Sequence, residues 1–332
     1  MLLVSGHITR RTGGNLYDRR VERACRRAGV PLRIISVAST AQARSALARA
    51  KPSVVIIDSI AIPIAAPLVR WIHESLGARL VALMHMATVA RGTDAVLRAA
   101  DRVVAVSPDL ARSLARSGVA RSRLMVIPPG SDGIPHLAHR KRRTRDRGQL
   151  HVLAVANWSR AKGIAVLVSA AAQVPNLRLD LVGDTGSGAY RDTVLRLIES
   201  HRLEARVVIH GSLGERALAR SYADADVFAL PTEREGYGIV FAEALMHGLP
   251  IVAADIASVR AIVGDAGLFV PPRRVRPLAA ALRLMTDAWL RRRLAKAARI
   301  RARALQRWTA SQAAFVALVR REMHATVAVR RP

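Results

Sequence analysis

The sequence predicts an α/β protein made of two doubly wound domains, each built on a parallel sheet. Short β-branched runs alternate with longer segments that carry apolar residues at helical spacing, which is typical of a parallel sheet covered on both faces. The alternation stops once, near residue 145, and then restarts; the 332 residues are enough for two domains. Because such sheets bind ligands at the carboxyl ends of their strands, we expect a ligand in a cleft between the domains.

Six strands are predicted in the first half of the chain. They are Leu2–Ser5, Leu32–Val37, Ser53–Asp58, Arg79–His85, Arg102–Ser107 and Arg123–Gly130. The segments between them, such as YDRRVERACRRAG, have helical spacing and end at glycine. Ser107 precedes Pro108 and is predicted to cap a helix. Residues 53–69 are the most apolar window, but Asp58 and two prolines interrupt it, so a buried strand and a helix start are expected there instead of a membrane span.

The charged segment His136–Leu150 has no apolar periodicity and is predicted to be an exposed linker. The predicted domains are therefore residues 1–145 and residues 146–332. The second half restarts the alternation with six strand-like runs, which are HVLAVAN, LRLDLVGD, ARVVIHG, DVFALP, LPIVAAD and GLFVPP. Its last forty residues are basic and helical, and Trp308, Phe315 and Val319 are expected to form an apolar seam that docks these helices onto the body of the protein.

The net charge of +29 is spread over the whole chain, since residues 1–150 hold 26 basic and 9 acidic residues and the remainder holds 27 and 15. Two interpretations stay open: solvated arginine-rich faces, or peripheral contact with an anionic membrane. Nucleic acid is disfavoured because aromatic residues make up only 4% of the chain and no stacking motif occurs. With Cys25 as its one cysteine and no signal-peptide pattern, the chain is expected to be cytoplasmic, with the inner face of the membrane as an alternative.

Two carboxylates, Glu235 and Glu243, lie in the segment PTEREGYGIVFAEALMHGLP, where a predicted strand gives way to a predicted helix. Gly236 and Gly238 let the backbone approach a ligand, and the helix N-terminus offers unpaired N–H groups to a phosphate. Glu243 suits ribose hydroxyls and Glu235 suits those of a sugar. The alternative is that Glu235 is a solvated loop acid and Glu243 an acid stabilised by the helix dipole.

Lys162 and Gly163 follow a predicted strand and precede a predicted helix, a place where a lysine can bind a diphosphate. The spacing is not that of a P-loop. A glycine-rich loop, residues 183–188, follows the next strand and is a weak signal by itself.

Residues 150–285 as a whole resemble the donor domain of retaining glycosyltransferases of family 4, which have the GT-B fold of two Rossmann-like domains facing across a cleft. The matching pieces are the Lys162–Gly163 turn, LVGD, VVIHGSL, GDAGLFVPP and the long run from YADAD to IVAAD. The resemblance implies that residues 1–145 form the acceptor domain. It implies that Glu235 and Glu243 hold the donor sugar and ribose, and that Lys162 binds the diphosphate. The backbone from Gly236 through Val240 is implied to bind the phosphates and sugar; its remaining members are Tyr237, Gly238 and Ile239.

The first domain is a looser match to the same family. Residues 10–21 resemble the family's first glycine-rich loop, with Gly13 and Gly14 facing the diphosphate, and His85 stands where the family often has a histidine near the sugar. Asp58 ends a neighbouring strand and either faces the ligand or only caps the following turn. Asn157 departs from the family's usual arginine, and Arg160 is a candidate for the missing charge.

The resemblance implies a retaining glycosyltransferase of the hexosyltransferase type, with Glu235, Lys162 and His85 as its catalytic residues. It implies a nucleotide-diphosphate sugar as co-substrate and an acceptor from glycolipid, polysaccharide or other cell-envelope glycoconjugate synthesis, such as a lipid-linked saccharide. No cofactor and no metal are expected. The alternatives are a nucleotide-sugar epimerase or hydrolase on the same fold, and a catalytically silent basic scaffold.

Overall fold

A computed structural model describes residues 1–87, 90–132 and 148–329 of the chain, which divides into two compact units. Unit 1 comprises Met1–Gly130 and Gln306–Pro332, and unit 2 comprises Ser131–Leu305. The predicted linker, His136–Leu150, lies outside the described residues up to residue 147.

Unit 1 contains a six-stranded sheet in the order β2-β1-β3-β4-β5-β6, with every neighbouring pair parallel. The strands are β1 (Leu2–Val4), β2 (Ile34–Ser36), β3 (Val54–Asp58), β4 (Arg79–Met84), β5 (Arg102–Ala105) and β6 (Leu124–Val126). All six predicted strands are confirmed. Because the strand order reverses between β1 and β3, the carboxyl ends of these two strands flank the position where doubly wound sheets bind ligands.

Helices connect the strands of this sheet, as the alternating sequence pattern predicts. They are α1 (Gly13–Arg27), α2 (Thr40–Ala50), α3 (Ile62–Ala65), α4 (Val69–Glu74), α5 (Thr93–Ala99) and α6 (Pro108–Arg116). The hydroxyl of Ser107 accepts the backbone N–H of Leu110, so its predicted role as an N-cap is confirmed. The apolar window 53–69 is β3 and the first helical turns after it, and no helix in the described part of the chain is long and apolar enough to cross a membrane.

Unit 2 repeats the architecture with the order β12-β11-β10-β7-β8-β9, again with every neighbouring pair parallel. Its strands are β7 (Leu150–Val155), β8 (Leu177–Val182), β9 (Val207–Gly211), β10 (Val227–Leu230), β11 (Ile251–Ala254) and β12 (Gly267–Val270). Its helices are α7 (Ile164–Ala172), α8 (Ala189–Ser200), α9 (Glu215–Asp224), α10 (Ile239–Met246), α11 (Ala257–Val263), α12 (Val275–Leu284) and α13 (Ala288–Ala304). Here the order reverses between β7 and β10.

The last helix, α14 (Trp308–Val329), belongs to unit 1 and packs against α1. Trp308, Phe315 and Val319 are buried, and the rings of Trp308 and Phe315 lie about 6 Å from Tyr17 on α1. The predicted seam therefore docks the helix, as expected. The boundary differs from the sequence prediction, which placed residues 146–332 in one domain, because the partner of the seam is the first sheet and its helices.

A buried carboxylate fixes the far end of α14. Glu322 accepts hydrogen bonds from Arg79 at 2.8 and 3.0 Å and from Arg102 at 3.1 Å. Arg79 and Arg102 are the first residues of β4 and β5, so this ionic cluster lies at the amino ends of the strands. Burial raises the pKa of Glu322, but the two guanidinium groups outweigh burial and hold the pKa below its usual value. The helix is thus an integral part of unit 1.

Candidate functional site

In unit 2, the structure brings Lys162 and Glu235 together. Lys162 lies in the short 3-10 turn after β7, and Glu235 lies in the loop after β10, so the two residues flank the reversal of strand order. The Lys162 Nζ and the Glu235 Oε1 form an ion pair in which the two side chains are 28% and 11% exposed. The two side chains are thus partly shielded from solvent and still accessible.

Two features fix the loops that carry this pair. Gly163 has φ of +69°, and a Cβ at this position would lie 2.5 Å from the carbonyl oxygen of Pro231. Only glycine fits a turn that approaches the second loop so closely. The carbonyl of Ala161 accepts the backbone N–H of Glu233 at 2.8 Å and the hydroxyl of Thr232 at 3.1 Å. Two hydrogen bonds therefore join the lysine turn to the glutamate loop.

The N-terminus of α10 follows the glutamate loop directly. Gly238 has φ of +96° and starts the helix without a side-chain cap. Among the described residues, no acceptor binds the backbone N–H of Ile239 or Val240, as expected for the first turn of an uncapped helix. Gly236 and Tyr237 are buried beside this turn, and burial raises the pKa of Tyr237 to about 12. Two unpaired donors at the positive end of a helix form a seat for an anion.

Glu243 lies one turn further along α10 and is buried. The hydroxyl of Tyr222 on α9 donates to its Oε2 at 2.9 Å, and His247 stacks on the Tyr222 ring at 5.0 Å. Burial raises the pKa of Tyr222 well above its usual value, and Glu243 adds to the shift, so the phenol stays a neutral donor. The carboxylate is therefore held in a set position. Tyr222 was missed by the sequence prediction, because an aromatic residue on an amphipathic helix looks like ordinary core.

The segment after β7 carries Asn157, which departs from the family pattern, and Arg160, the remaining donor-binding prediction in unit 2. Asn157 accepts the backbone N–H of Asp184 at 3.0 Å, so its side chain holds the glycine-rich loop after β8. Gly183 in that loop has φ of +137°, and a Cβ there would lie 2.0 Å from the carbonyl oxygen of Ala156. Arg160 is exposed in the turn that also carries Lys162. The prediction that Arg160 replaces the missing arginine remains a prediction.

In unit 1, the predicted glycine-rich loop forms the N-terminus of α1. Thr12 caps the helix by accepting the N–H of Asn15, and Gly13 and Gly14 are its first two residues. A Cβ on Gly14 would lie 3.2 Å from the Cδ2 of His85. The glycine therefore allows the backbone of α1 to pack closely on the imidazole ring that ends β4. Direct contact between these two predicted residues was not evident from the sequence.

His85 is held between two carboxylates. Its Nε2 lies 3.1 Å from the Oδ1 of Asp18 and 3.4 Å from the Oδ2 of Asp58. Asp18 is one turn beyond Gly14 on the buried face of α1, and Asp58 ends β3. The other oxygen of Asp58 accepts the N–H of Ile60 at 2.7 Å, so this residue both contacts the histidine and caps the turn after its strand. Asp18 was not predicted from the sequence.

The electrostatics of this cluster favour a protonated histidine. Burial alone would lower the pKa of His85, but Asp18 and Asp58 outweigh it and raise the pKa to about 10. Burial raises the pKa of Asp18 to about 7 against the opposing charge of His85. Burial also disfavours ionisation of Asp58, yet His85 and the surrounding donors hold its pKa below the usual value. At neutral pH the cluster therefore contains an imidazolium and an ionised Asp58.

The same three residues are the one set of His, Cys, Asp and Glu side chains in the described ranges whose candidate ligand atoms group closely, within 4.8 Å of one another. The sequence analysis expected no metal and did not predict that these three residues meet. A divalent cation would have to displace the proton that both carboxylates stabilise on His85. The donor set therefore fits an imidazolium better than a metal ion.

Two family models match the chain. Residues 137–301 match the model described as Glycosyl transferases group 1, and residues 6–132 match the model described as Glycosyltransferase Family 4. The chain is similar to a D-inositol 3-phosphate glycosyltransferase of Xylanimonas cellulosilytica, with 32% identity over 261 residues that cover 73% of this chain and 60% of the relative. It covers 48% and 52% of two further curated relatives, so it spans about half the length of these proteins.

Solved structures share the fold. The sucrose-phosphate synthase of Thermosynechococcus elongatus has a TM-score of 0.79 and 21% identity, over 98% of this chain and 99% of that protein. The Anabaena protein Alr3699/HepE, in complex with UDP and glucose, has a TM-score of 0.71 and 18% identity, again over 98% and 99%. At these identities the likeness establishes the fold, which is the predicted GT-B class.

Proposed function

Because the chain belongs to glycosyltransferase family 4, we propose that it transfers a sugar from a nucleotide-diphosphate sugar to an acceptor hydroxyl with retention at the anomeric carbon. In this reaction the bond from the anomeric carbon to the diphosphate oxygen breaks and a bond to the acceptor oxygen forms. The leaving nucleoside diphosphate keeps the electron pair of the broken bond and takes up the proton that the acceptor hydroxyl releases. The observation that carries the proposal is the Lys162–Glu235 ion pair beside the uncapped N-terminus of α10.

Unit 2 would supply the groups that bind the diphosphate, the sugar and the ribose of the donor. Lys162 and the N–H groups of Ile239 and Val240 would take the negative charge that develops on the leaving diphosphate, as preorganised donors do in other transfer reactions. Glu235 would accept hydrogen bonds from the sugar hydroxyls, and Glu243 from the ribose. In the ligand-free protein the ammonium of Lys162 and the carboxylate of Glu235 neutralise each other. Donor binding would replace this pair with a contact from Lys162 to the diphosphate and hydrogen bonds from the sugar hydroxyls to Glu235.

Unit 1 would act on the sugar and the acceptor. Gly13 and Gly14 bring the N-terminus of α1 to the diphosphate, and His85 donates from its ring to a hydroxyl. Lys162 and backbone N–H groups supply the positive charge that a metal ion supplies in other transferases, so the proposal includes neither a metal nor a cofactor. The complex of Alr3699/HepE with UDP and glucose supports a nucleotide-sugar donor. We propose an acceptor from glycolipid, polysaccharide or other cell-envelope glycoconjugate synthesis.

Thermal stabilisation by a panel of UDP-, GDP-, ADP- and dTDP-sugars tests the proposal. A ligand that binds only the folded protein stabilises it by about 2.7 kcal/mol at a hundredfold excess over its dissociation constant. We expect a shift with one nucleotide family, and we expect Glu243→Gln to weaken it while keeping an acceptor for Tyr222. Glu199→Gln, an exposed acid on α8, is the matched control.

Two results would contradict the proposal. One is the absence of a thermal shift with every nucleotide sugar, which would favour the alternative of a catalytically silent basic scaffold. The other is consumption of the donor without any acceptor at a rate that acceptors do not increase, since that is the behaviour of an epimerase or a hydrolase.

A further inference from the structure

Helix α13 carries an unusual concentration of positive charge. Its 17 residues contain seven cations, Arg291, Arg292, Arg293, Lys296, Arg299, Arg301 and Arg303, and no acid. Two of them serve the fold, because Arg291 donates to the carbonyl of Met285 and Arg301 donates to the carbonyls of Ala261 and Ile262. The other five have no carboxylate at ion-pair distance in the described part of the chain. They are therefore free to meet an external anion.

The same helix exposes large apolar side chains. Trp289 and Ile300 are 60% and 61% exposed, and Leu284 at the end of α12 is 56% exposed. Burial of such side chains is favourable, and most large apolar residues of a folded domain are covered. The guanidinium of Arg293 lies 5.1 Å above the Trp289 ring, which keeps the indole at the surface among the cations.

The exposed residues form a single stripe. At roughly 100° per residue, Trp289, Arg293, Lys296, Ile300 and Arg303 all lie within about 40° of one line along the helix. The opposite side of α13 holds the buried Leu294 and Ala298. The inward face thus packs on unit 2, and the outward face has apolar residues near each end with cations between and beside them. Trp289 and Ile300 are about 16 Å apart along the axis.

A pocket adjoins the stripe. It has a volume of about 440 Å³ and is lined by Arg291, Arg292 and Arg299 of α13, by the turn Gly248–Pro250, and by Asp224 and Asp226. Asp226 accepts the backbone N–H of His151 at 2.9 Å, so one of the two carboxylates that line the pocket already has a partner. The three guanidinium groups outnumber the carboxylates and extend the cationic surface beyond the exposed stripe.

We propose that the stripe of α13 docks unit 2 onto a bilayer rich in anionic phospholipid. Trp289 and Ile300 enter the boundary between headgroups and acyl chains, and Arg292, Arg293, Lys296 and Arg303 lie over the lipid phosphates. Basic amphipathic helices with exposed aromatic and aliphatic residues bind membrane interfaces in this way. A nucleic-acid site would use cations with a platform of stacking aromatics, and Trp289 is the one aromatic residue of this stripe. The proposal does not depend on the proposed catalytic function.

Flotation with vesicles tests the proposal. The vesicles contain phosphatidylcholine with about 30 mol% phosphatidylglycerol or none, and the salt is raised from about 0.05 to about 0.5 M. We expect binding to the anionic vesicles alone, weakened by salt. Arg293→Gln/Lys296→Gln should weaken it by roughly 25-fold, because each cation near an anionic surface contributes roughly fivefold. Trp289→Ser/Ile300→Ser should remove the binding that remains at high salt.

The matched control is Arg216→Gln/Arg220→Gln, which removes the same charge from exposed positions on α9 of the same unit. An equal loss in this control would show that only net charge matters and would overturn the assignment to α13. The absence of flotation at low salt would overturn the membrane proposal. So would binding of an oligonucleotide that depends on the stripe and excludes vesicles. Thermal unfolding of each variant separates these outcomes from a failure to fold.

Discussion

The Lys162–Glu235 pair permits a double-mutant test of how the donor is bound. The variants are Lys162→Met, Glu235→Gln and both together, measured as kcat/KM for the donor. Each single loss removes one group that acts on the transition state, a change that typically costs roughly 3 kcal/mol, or somewhat more than a hundredfold. If Lys162 binds the diphosphate and Glu235 binds the sugar, each single variant loses a different contact with the donor.

The ion pair of the ligand-free protein sets the sign of the coupling. Either single variant loses this pair already in the free enzyme, which raises the starting state and hides part of the cost in the transition state. The double variant loses the pair only once. For a pair that is 28% and 11% exposed, we take about 1 kcal/mol. The double variant should therefore lose about fivefold more than the product of the two single losses.

The assay is steady-state transfer at several donor concentrations, with the free energy of unfolding as the control for folding. Lys162→Met and Glu235→Gln should each cut kcat/KM roughly thirtyfold, because losing the ion pair in the free enzyme offsets about 1 kcal/mol of the roughly 3 kcal/mol lost in the transition state. The free energy of unfolding should change by about 1 kcal/mol in each variant. A double variant no worse than the poorer single variant would show that the pair stays intact in the transition state and acts as one group. Near-normal transfer by Glu235→Gln would refute its contact with the sugar.

Three further predictions concern stability. Glu322→Gln should lower the free energy of unfolding in urea by about 3 kcal/mol, because two arginines lose their buried carboxylate; a loss below about 1 kcal/mol would show that the cluster does not hold α14. Gly163→Ala should destabilise the protein and weaken donor binding, since its Cβ would lie 2.5 Å from a carbonyl oxygen, whereas Gly186→Ala, with φ of +64° and open space, should cost only about 1 kcal/mol; equal effects would contradict the close approach. The carboxylates that raise the pKa of His85 from 6.5 to about 10, against the opposing effect of burial, stabilise the folded state fully below pH 6.5, and this stabilisation is lost as the pH rises toward 10. Wild type should lose up to about 1.4 kcal/mol per pH unit in that window relative to His85→Gln, and parallel stability curves would count against the imidazolium.

The sequence was sufficient to predict the strands of both sheets, but it was not sufficient to predict the contacts between distant segments. Each of the twelve strands overlaps one of the short strand-like runs of the sequence, so local propensity and tertiary context agree. The meeting of Lys162 and Glu235 depends on strand order, because β10 pairs with β7 and not with β9. No local pattern specifies that order. The seam of α14 was visible for the same local reason, but its partner, Tyr17 of α1, was not.

The position of Asp18 on an apolar helix face is a sequence signal from which part of the cluster around His85 could have been predicted. Asp18 falls between Tyr17 and Val21 on α1, and all three side chains are buried. A carboxylate on an apolar helix face needs a buried partner, since an unpaired charge there is costly. That reasoning calls for a cation near Asp18 but does not say which one. The choice of His85 follows from the packing of Gly14 on its ring, which the sequence does not give.

Asp18 and Asp58 balance the positive charge of His85, and this balance limits the classes of ligand that the ring can bind. Both carboxylate contacts use Nε2, and no acceptor in the described residues binds Nδ1. The positive charge of the ring is already balanced by Asp58 and, as the pH rises past about 7, by Asp18 as well. A balanced imidazolium gains little from a phosphate, which would add a further negative charge beside two carboxylates. It still has a strong N–H donor to offer to a neutral group, and a sugar or acceptor hydroxyl is such a group. The electrostatics therefore favour a hydroxyl over a phosphate as the partner of His85.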